Sequence, residues 1–77
     1  MLRLKNIKIN SEVAEADFYP EDSEICGHIV VDLHTEEIQS IQHVPGYEFM
    51  YPGHAAWKLI DMAKEHDESS ECLVMWY

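Results

Sequence analysis

Between Lys8 and Lys58 the chain contains no lysine or arginine. That interval holds ten of its fifteen acids, and the formal charge is −10. Phosphate contacts require a basic face, so direct binding to nucleic acid or to an anionic membrane surface is not expected. Glycine is also scarce, with three residues and no glycine-rich phosphate loop. The two cysteines, Cys26 and Cys72, lie far apart and form no CxxC pair. Neither a zinc finger nor a secreted disulfide scaffold is indicated. No run approaches the ~20 apolar residues of a membrane span. Met1-Leu2-Arg3-Leu4-Lys5 alternates apolar and basic residues and lacks a signal core, so a cytoplasmic location is expected. No serine sits in a nucleophile-elbow sequence. An enzyme is not expected, nor is a cofactor.

What is present suits a folded domain. The 77 residues are 47% apolar and 10% aromatic, neither value suggesting disorder. One small domain spanning residues 1–77 is expected. A chain of this size buries only roughly 60–65% of the surface exposed when unfolded, which limits its stability.

The clearest element is a strand from Ile25 to Leu33, the first arm of a hairpin that returns to Val44. Ile25, Gly27, Ile29, Val31 and Leu33 share one face; Cys26, His28, Val30, Asp32 and His34 share the other. Before it, Leu2–Asn10 reads as a strand whose apolar parity switches between Leu4 and Ile7. A bulge near Lys5-Asn6 would restore the inward direction. Val13–Tyr19 follows, with Ala14, Ala16 and Phe18 inward. Ile9 is expected opposite Ala14, and Lys8 opposite Glu15, an opposite-charge pair. Phe18 paired with Ile25 would then set Ala16 against Gly27. That small-residue face would admit either a close helix or a large side chain.

The turn His34-Thr35-Glu36-Glu37 places a residue of positive φ at Glu36. The return arm, Ile38–Val44, is irregular and reads as a bulged or edge strand. After a loop bracketed by Pro45-Gly46 and Pro52-Gly53 comes one helix, His54 to about His66. Ala56, Leu59, Ile60 and Ala63 form its expected buried stripe, with Trp57 beside it. Cys72–Tyr77 reads as a last strand. The sequence thus predicts an α+β fold: an antiparallel four-stranded meander, one α-helix packed on one sheet face, and a C-terminal fifth strand (β-β-β-β-α-β). The fifth strand fits beside the first, giving order 5-1-2-3-4, or beside the fourth by a right-handed crossover. This element order with an acidic surface resembles small antitoxin and inhibitor domains, at the level of the fold alone.

Three places can carry function. Cys26, His28, Asp32 and His34 point one way and are metal-ligand types. Alternate strand residues stand about 7 Å apart, however, so a solvated face is the plainer reading. Cys26 beside His28 is a poor nucleophile candidate, because neighbouring carboxylates raise a thiol's pKa. The second place is the Tyr47–Tyr51 loop with His43 and His54, where aromatics cap the core or anchor a contact and His54 stands near a helix N-terminus. The third is the apolar end Met75-Trp76-Tyr77. Val30 with Val74 or Trp76 on the outer sheet face would make a homodimer surface. The resulting expectation is a small acidic, non-catalytic protein that binds a protein partner with a basic surface, as an accessory or inhibitor-like protein. His28, Asp32, His34, Tyr47, Tyr51 and His54 are its candidate binding residues. A metal-binding module on the Cys26/His28/Asp32/His34 face is one alternative. A small ligand-binding or enzymatic domain at the Tyr47–His54 loop is the other.

Overall fold

The computed structural model describes residues 1–75. Five strands form one antiparallel sheet: β1 (Leu2–Ile9), β2 (Val13–Pro20), β3 (Gly27–Asp32), β4 (Glu37–Gln42) and β5 (Cys72–Val74). One helix, α1 (Tyr51–Lys64), joins β4 to β5 and covers one sheet face. The strand order is β4-β3-β2-β1-β5. The last strand therefore lies beside the first, one of the two expected placements. Trp76 and Tyr77, expected in that strand, lie outside the described residues.

The bulge in β1 is where the parity switch placed it. Lys5 pairs with Asp17 and Lys8 with Glu15, so Asn6 and Ile7 together oppose Ala16. Asn6 takes φ 54°, a left-handed conformation that asparagine tolerates. Leu2, Leu4 and Ile7 thereby all point inward and are buried. Asn10 closes the β1–β2 turn by accepting hydrogen bonds from the Glu12 and Val13 N–H groups at 2.7 and 2.8 Å.

The β2–β3 register departs from expectation by two residues. Phe18 faces Gly27, Ala16 faces Ile29 and Ala14 faces Val31. Parity survives the shift, so the same side chains point inward. Ile25 falls outside the strand and is 65% exposed. The Ser23 hydroxyl accepts from the Ile25 N–H (3.1 Å) and donates to the Ile25 carbonyl (2.8 Å), taking the place of ladder bonds. The dent at Gly27 is filled by a side chain of the neighbouring strand. The Phe18 ring occupies the space above it, and a Cβ there would collide with that ring and with the Gln42 carbonyl.

Edge strand β4 carries the expected irregularity, with Val30 opposite Ser40 but Val31 opposite Ile38. In the β3–β4 turn Glu36 has φ 60°, as the turn requires. The helix begins three residues before the expected His54. Met50 precedes it with φ 71° and no side-chain cap, and Pro52 sits in the first turn. Proline is tolerated there because that N–H has no intrahelical acceptor. The buried stripe is Pro52, Ala55, Ala56, Leu59 and Met62; the expected Ile60 and Ala63 are only half-buried. The helix ends in a Schellman arrangement: His66 has φ 55°, its N–H reaches the Ala63 carbonyl at 3.3 Å, and the Asp67 N–H reaches that of Met62 at 2.9 Å. Phe18, Leu59 and Met62, all essentially buried, each contribute about 2 kcal/mol by leaving water.

Two substitutions test this frame. Gly27→Val should lower unfolding free energy by about 3 kcal/mol or more through overpacking against Phe18. A near-native urea midpoint would refute the Phe18–Gly27 contact. Glu36→Gly should leave stability unchanged or raise it by about 1 kcal/mol, since it relieves a left-handed side-chain residue. The Lys64–Glu36 ion pair lost with it (3.2 Å) is exposed and worth little. A clear drop in melting temperature would contradict that account of the turn.

Candidate functional site

The outer sheet face holds the first set of candidate residues. It is not an acidic face. Arg3, Lys5 and Lys8, three of the chain's five basic residues, all point outward on β1. Lys5 and Lys8 stand opposite Asp17 and Glu15 on β2. The Arg3 guanidinium lies 5.3 Å from the Tyr19 ring centroid and Lys5 Nζ 5.5 Å from it. Lys5 also reaches Glu71 at 3.9 Å. Charge on this face is largely paired. Most of the acid surplus is carried by the connecting loops; the helix holds one acid, Asp61, against Lys58 and Lys64.

The shifted register decides what His28 meets. It stands opposite Asp17, not Glu15. Its Nδ1–H donates to Asp17 Oδ1 at 2.8 Å, and Asn6 Nδ2 donates to Asp17 Oδ2 at 2.9 Å. These two hydrogen bonds, His28's first, hold the Asp17 carboxyl below its usual range. Glu15 is a looser neighbour, 4.0 Å from His28 Nε2. Cys26 lies beside Tyr19 instead, and its thiol pushes the phenol pKa up. Asp32 turns its carboxylate into the β3–β4 turn, accepting from the His34 and Thr35 N–H groups at 2.8 and 3.3 Å. His34 is exposed at that turn. Cys26, His28, Asp32 and His34 are thus not brought together. Among the described residues no three His, Cys, Asp or Glu side chains converge as metal ligands. The expected Val30–Val74 surface is not formed either. Val74 pairs with Leu2 and is buried on the inner side, while Leu73, opposite Arg3, faces out and is 52% exposed.

The second set is partly gathered. Tyr47 and Tyr51 pack edge to face, centroids 5.2 Å apart at 84°. Tyr51 belongs to the helix, and its hydroxyl donates to Glu21 Oε2 at 3.1 Å. The Met1 ammonium donates to the same oxygen at 2.6 Å. Desolvation first and the Glu21 bond second push the Tyr51 phenol up. These two tyrosines fasten the helix N-terminus to the β2–β3 turn. His54, one turn into the helix, is half-buried on a different flank.

That flank is where the surface is least ordinary. Met50, His54 and Trp57 follow one another at helical spacing, with Asp61 next in line. Trp57 is 62% exposed, Met50 61% and Met75 55%. With Gly53 and Val74 they line an apolar groove of about 500 Å³ between α1 and the end of β5. Phe49, 85% exposed, immediately precedes Met50. A larger hollow, about 1090 Å³, lies at the other end of the helix, where Ile7, Ile9 and Ile60 meet Lys8, Lys64 and Glu36. Lys64 there is already engaged by Glu36, and much of the wall is polar, so water fills it at little cost. The smaller groove is the stronger candidate for a partner. Sequence reasoning found His54 and Met75 but not the groove. The missed signal was Met50 and Trp57 spaced seven apart around His54.

No helix among the described residues is long and apolar enough to cross a membrane. Comparison with protein-family models, with curated proteins and with solved structures finds no match to this chain.

The Asp17–His28 contact has a pH consequence. A carboxyl whose pKa is lower folded than unfolded adds stability above its unfolded value of about 4, lost as pH falls through the folded value. Asp17→Asn should therefore lower the melting temperature at pH 7 and flatten the decline of stability in acid. Parallel acid profiles for the two proteins would show that the pair contributes nothing.

Proposed function

We propose that this chain is a non-catalytic, cytoplasmic protein that acts by binding a protein partner with a basic surface. The observation that carries the reading is the exposed cluster Met50, Trp57 and Met75 on a molecule of net charge −10. Large apolar side chains gathered in one groove mark a contact area, and aromatic anchors carry most of the energy in such contacts. Of the acids near the cluster, Glu48 precedes Phe49, while Asp61 and Glu71 each stand 3.9 Å from a lysine, Lys58 and Lys5. An apolar anchor on a chain of net charge −10 favours a partner bearing apolar residues among lysines and arginines. Two copies each carrying −10 repel, so a homodimer through this surface is the weaker occupant. The half-buried, unbridged Cys26 and Cys72 suit a reducing compartment. The non-catalytic reading is supported by the setting of the His28–Asp17 pair, which lies on an open, solvated sheet face.

Affinity capture from the source cell should recover one protein with the wild-type chain and lose it with Trp57→Ser, which leaves the core intact. Raising salt from about 0.05 to 0.5 M should weaken the capture steeply. Retention of the same protein by Trp57→Ser, or indifference to salt, would contradict the reading.

A further inference from the structure

We propose that His28 and Glu15 form half of a zinc site on the outer sheet face, and that a second copy of the chain supplies the same pair to complete it.

Three features lead there. The first is the orientation of His28. Its Nδ1–H is committed to Asp17 Oδ1 at 2.8 Å, and Asn6 holds the other Asp17 oxygen at 2.9 Å. A carboxylate on one ring nitrogen fixes the tautomer and leaves the lone pair of the neutral ring on Nε2. Metal-ligating histidines are held in this way. The second feature is what Nε2 meets. Glu15 Oε2 stands 4.0 Å away, too far for a hydrogen bond. Two donors on one tetrahedral zinc stand about 3.4 Å apart, given bonds of about 2.0–2.1 Å. A small rotation of the part-exposed Glu15 side chain closes that difference. Imidazole and carboxylate are both zinc ligands.

The third feature is the incompleteness of the pair. Zinc takes four ligands, and among the described residues no group of three metal-ligating side chains converges. The helix covers the other sheet face, so a second copy can approach this one. A two-fold axis through the ion gives two imidazoles and two carboxylates. Sheets packed face to face stand about 10 Å apart, a gap that two histidine side chains joined through a metal can span.

The charges on this face permit the approach. Lys5 and Lys8 stand opposite Asp17 and Glu15, so two copies meet here on nearly balanced charge although each carries −10. The ion adds two positive charges. Lys5 Nζ is turned to Glu71 at 3.9 Å. Lys8 is exposed, and its flexible stem can carry the ammonium away from the ion. The site lies on the face opposite the apolar groove, so its failure would leave the contact reading untouched.

Analytical ultracentrifugation of the metal-free chain, with and without zinc chloride, tests this. The wild type should dimerise at about 100 µM zinc, hold one zinc per two chains, and return to monomer with a chelator. His28→Gln and Glu15→Gln, both at half-buried positions, should each weaken the zinc dimer at least about tenfold. Asp17→Asn should keep the stoichiometry and weaken affinity about tenfold, because the ring loses its orienting charge. Zinc bound by a monomer, no dimer at about 1 mM zinc, or a dimer already present without metal would overturn the shared site. A zinc dimer of undiminished affinity in both His28→Gln and Glu15→Gln would overturn the choice of ligands.

Discussion

The placement of Phe18 over Gly27 is the constraint on which the rest of the structure depends. The ring needs a partner strand with no side chain at that point, and glycine is the residue that permits it. This contact starts β3 at Gly27 and fixes the β2–β3 register. With the register fixed, Ala14 and Ala16 stand beside Val31 and Ile29, leaving a low floor at the centre of the sheet. Leu59 and Met62 of the helix descend onto the same core. The remaining core is supplied by Leu2, Leu4 and Ile7, which the bulge at Asn6 turns inward.

The same constraint distributes polar groups. Moving β3 by two residues takes His28 to Asp17, where Asn6 completes a hydrogen-bonded trio on the outer face. Together with the outward bases of β1, this leaves that face paired and hydrated. The burial of Ala55, Ala56, Leu59 and Met62 turns Trp57 to the flank, beside the end of β5. One sheet face is thus electrostatically satisfied, while the helix flank is apolar and open. That asymmetry is the physical basis for the contact proposed at the groove.

Much of the architecture was legible in residue order. Period-two alternation located the first three strands, the hairpin's return marked the irregular fourth, the parity switch at Asn6 revealed the bulge, and the sign of φ at Glu36 followed from loop length. What was hidden had specific causes. Ile25 continues the apolar alternation of β3, and only the Ser23 hydroxyl bonds and the bulk of Phe18 exclude it. The helix start lacks an Asp, Ser, Thr or Asn cap, so Pro52-Gly53 reads as a loop when it is the first turn. Residues 55–63 are apolar around most of the helix circumference, so periodicity supports two overlapping stripes. Choosing the wrong one buried Ile60 and Ala63 and obscured the exposure of Trp57. His28 was identifiable as an outward residue, but its neighbour depended on the register. Tyr51 had the right position for a site and the wrong role, because its hydroxyl is committed to Glu21.

The account turns on the β2–β3 register, and nuclear Overhauser contacts from the Phe18 ring read that register directly. The structure places the ring protons against the Gly27 Hα protons, giving strong cross-peaks there and none to Ile25. Strong contacts from the Phe18 ring to Ile25, with Gly27 silent, would contradict the register, the position of His28 beside Asp17, and the present account of the core.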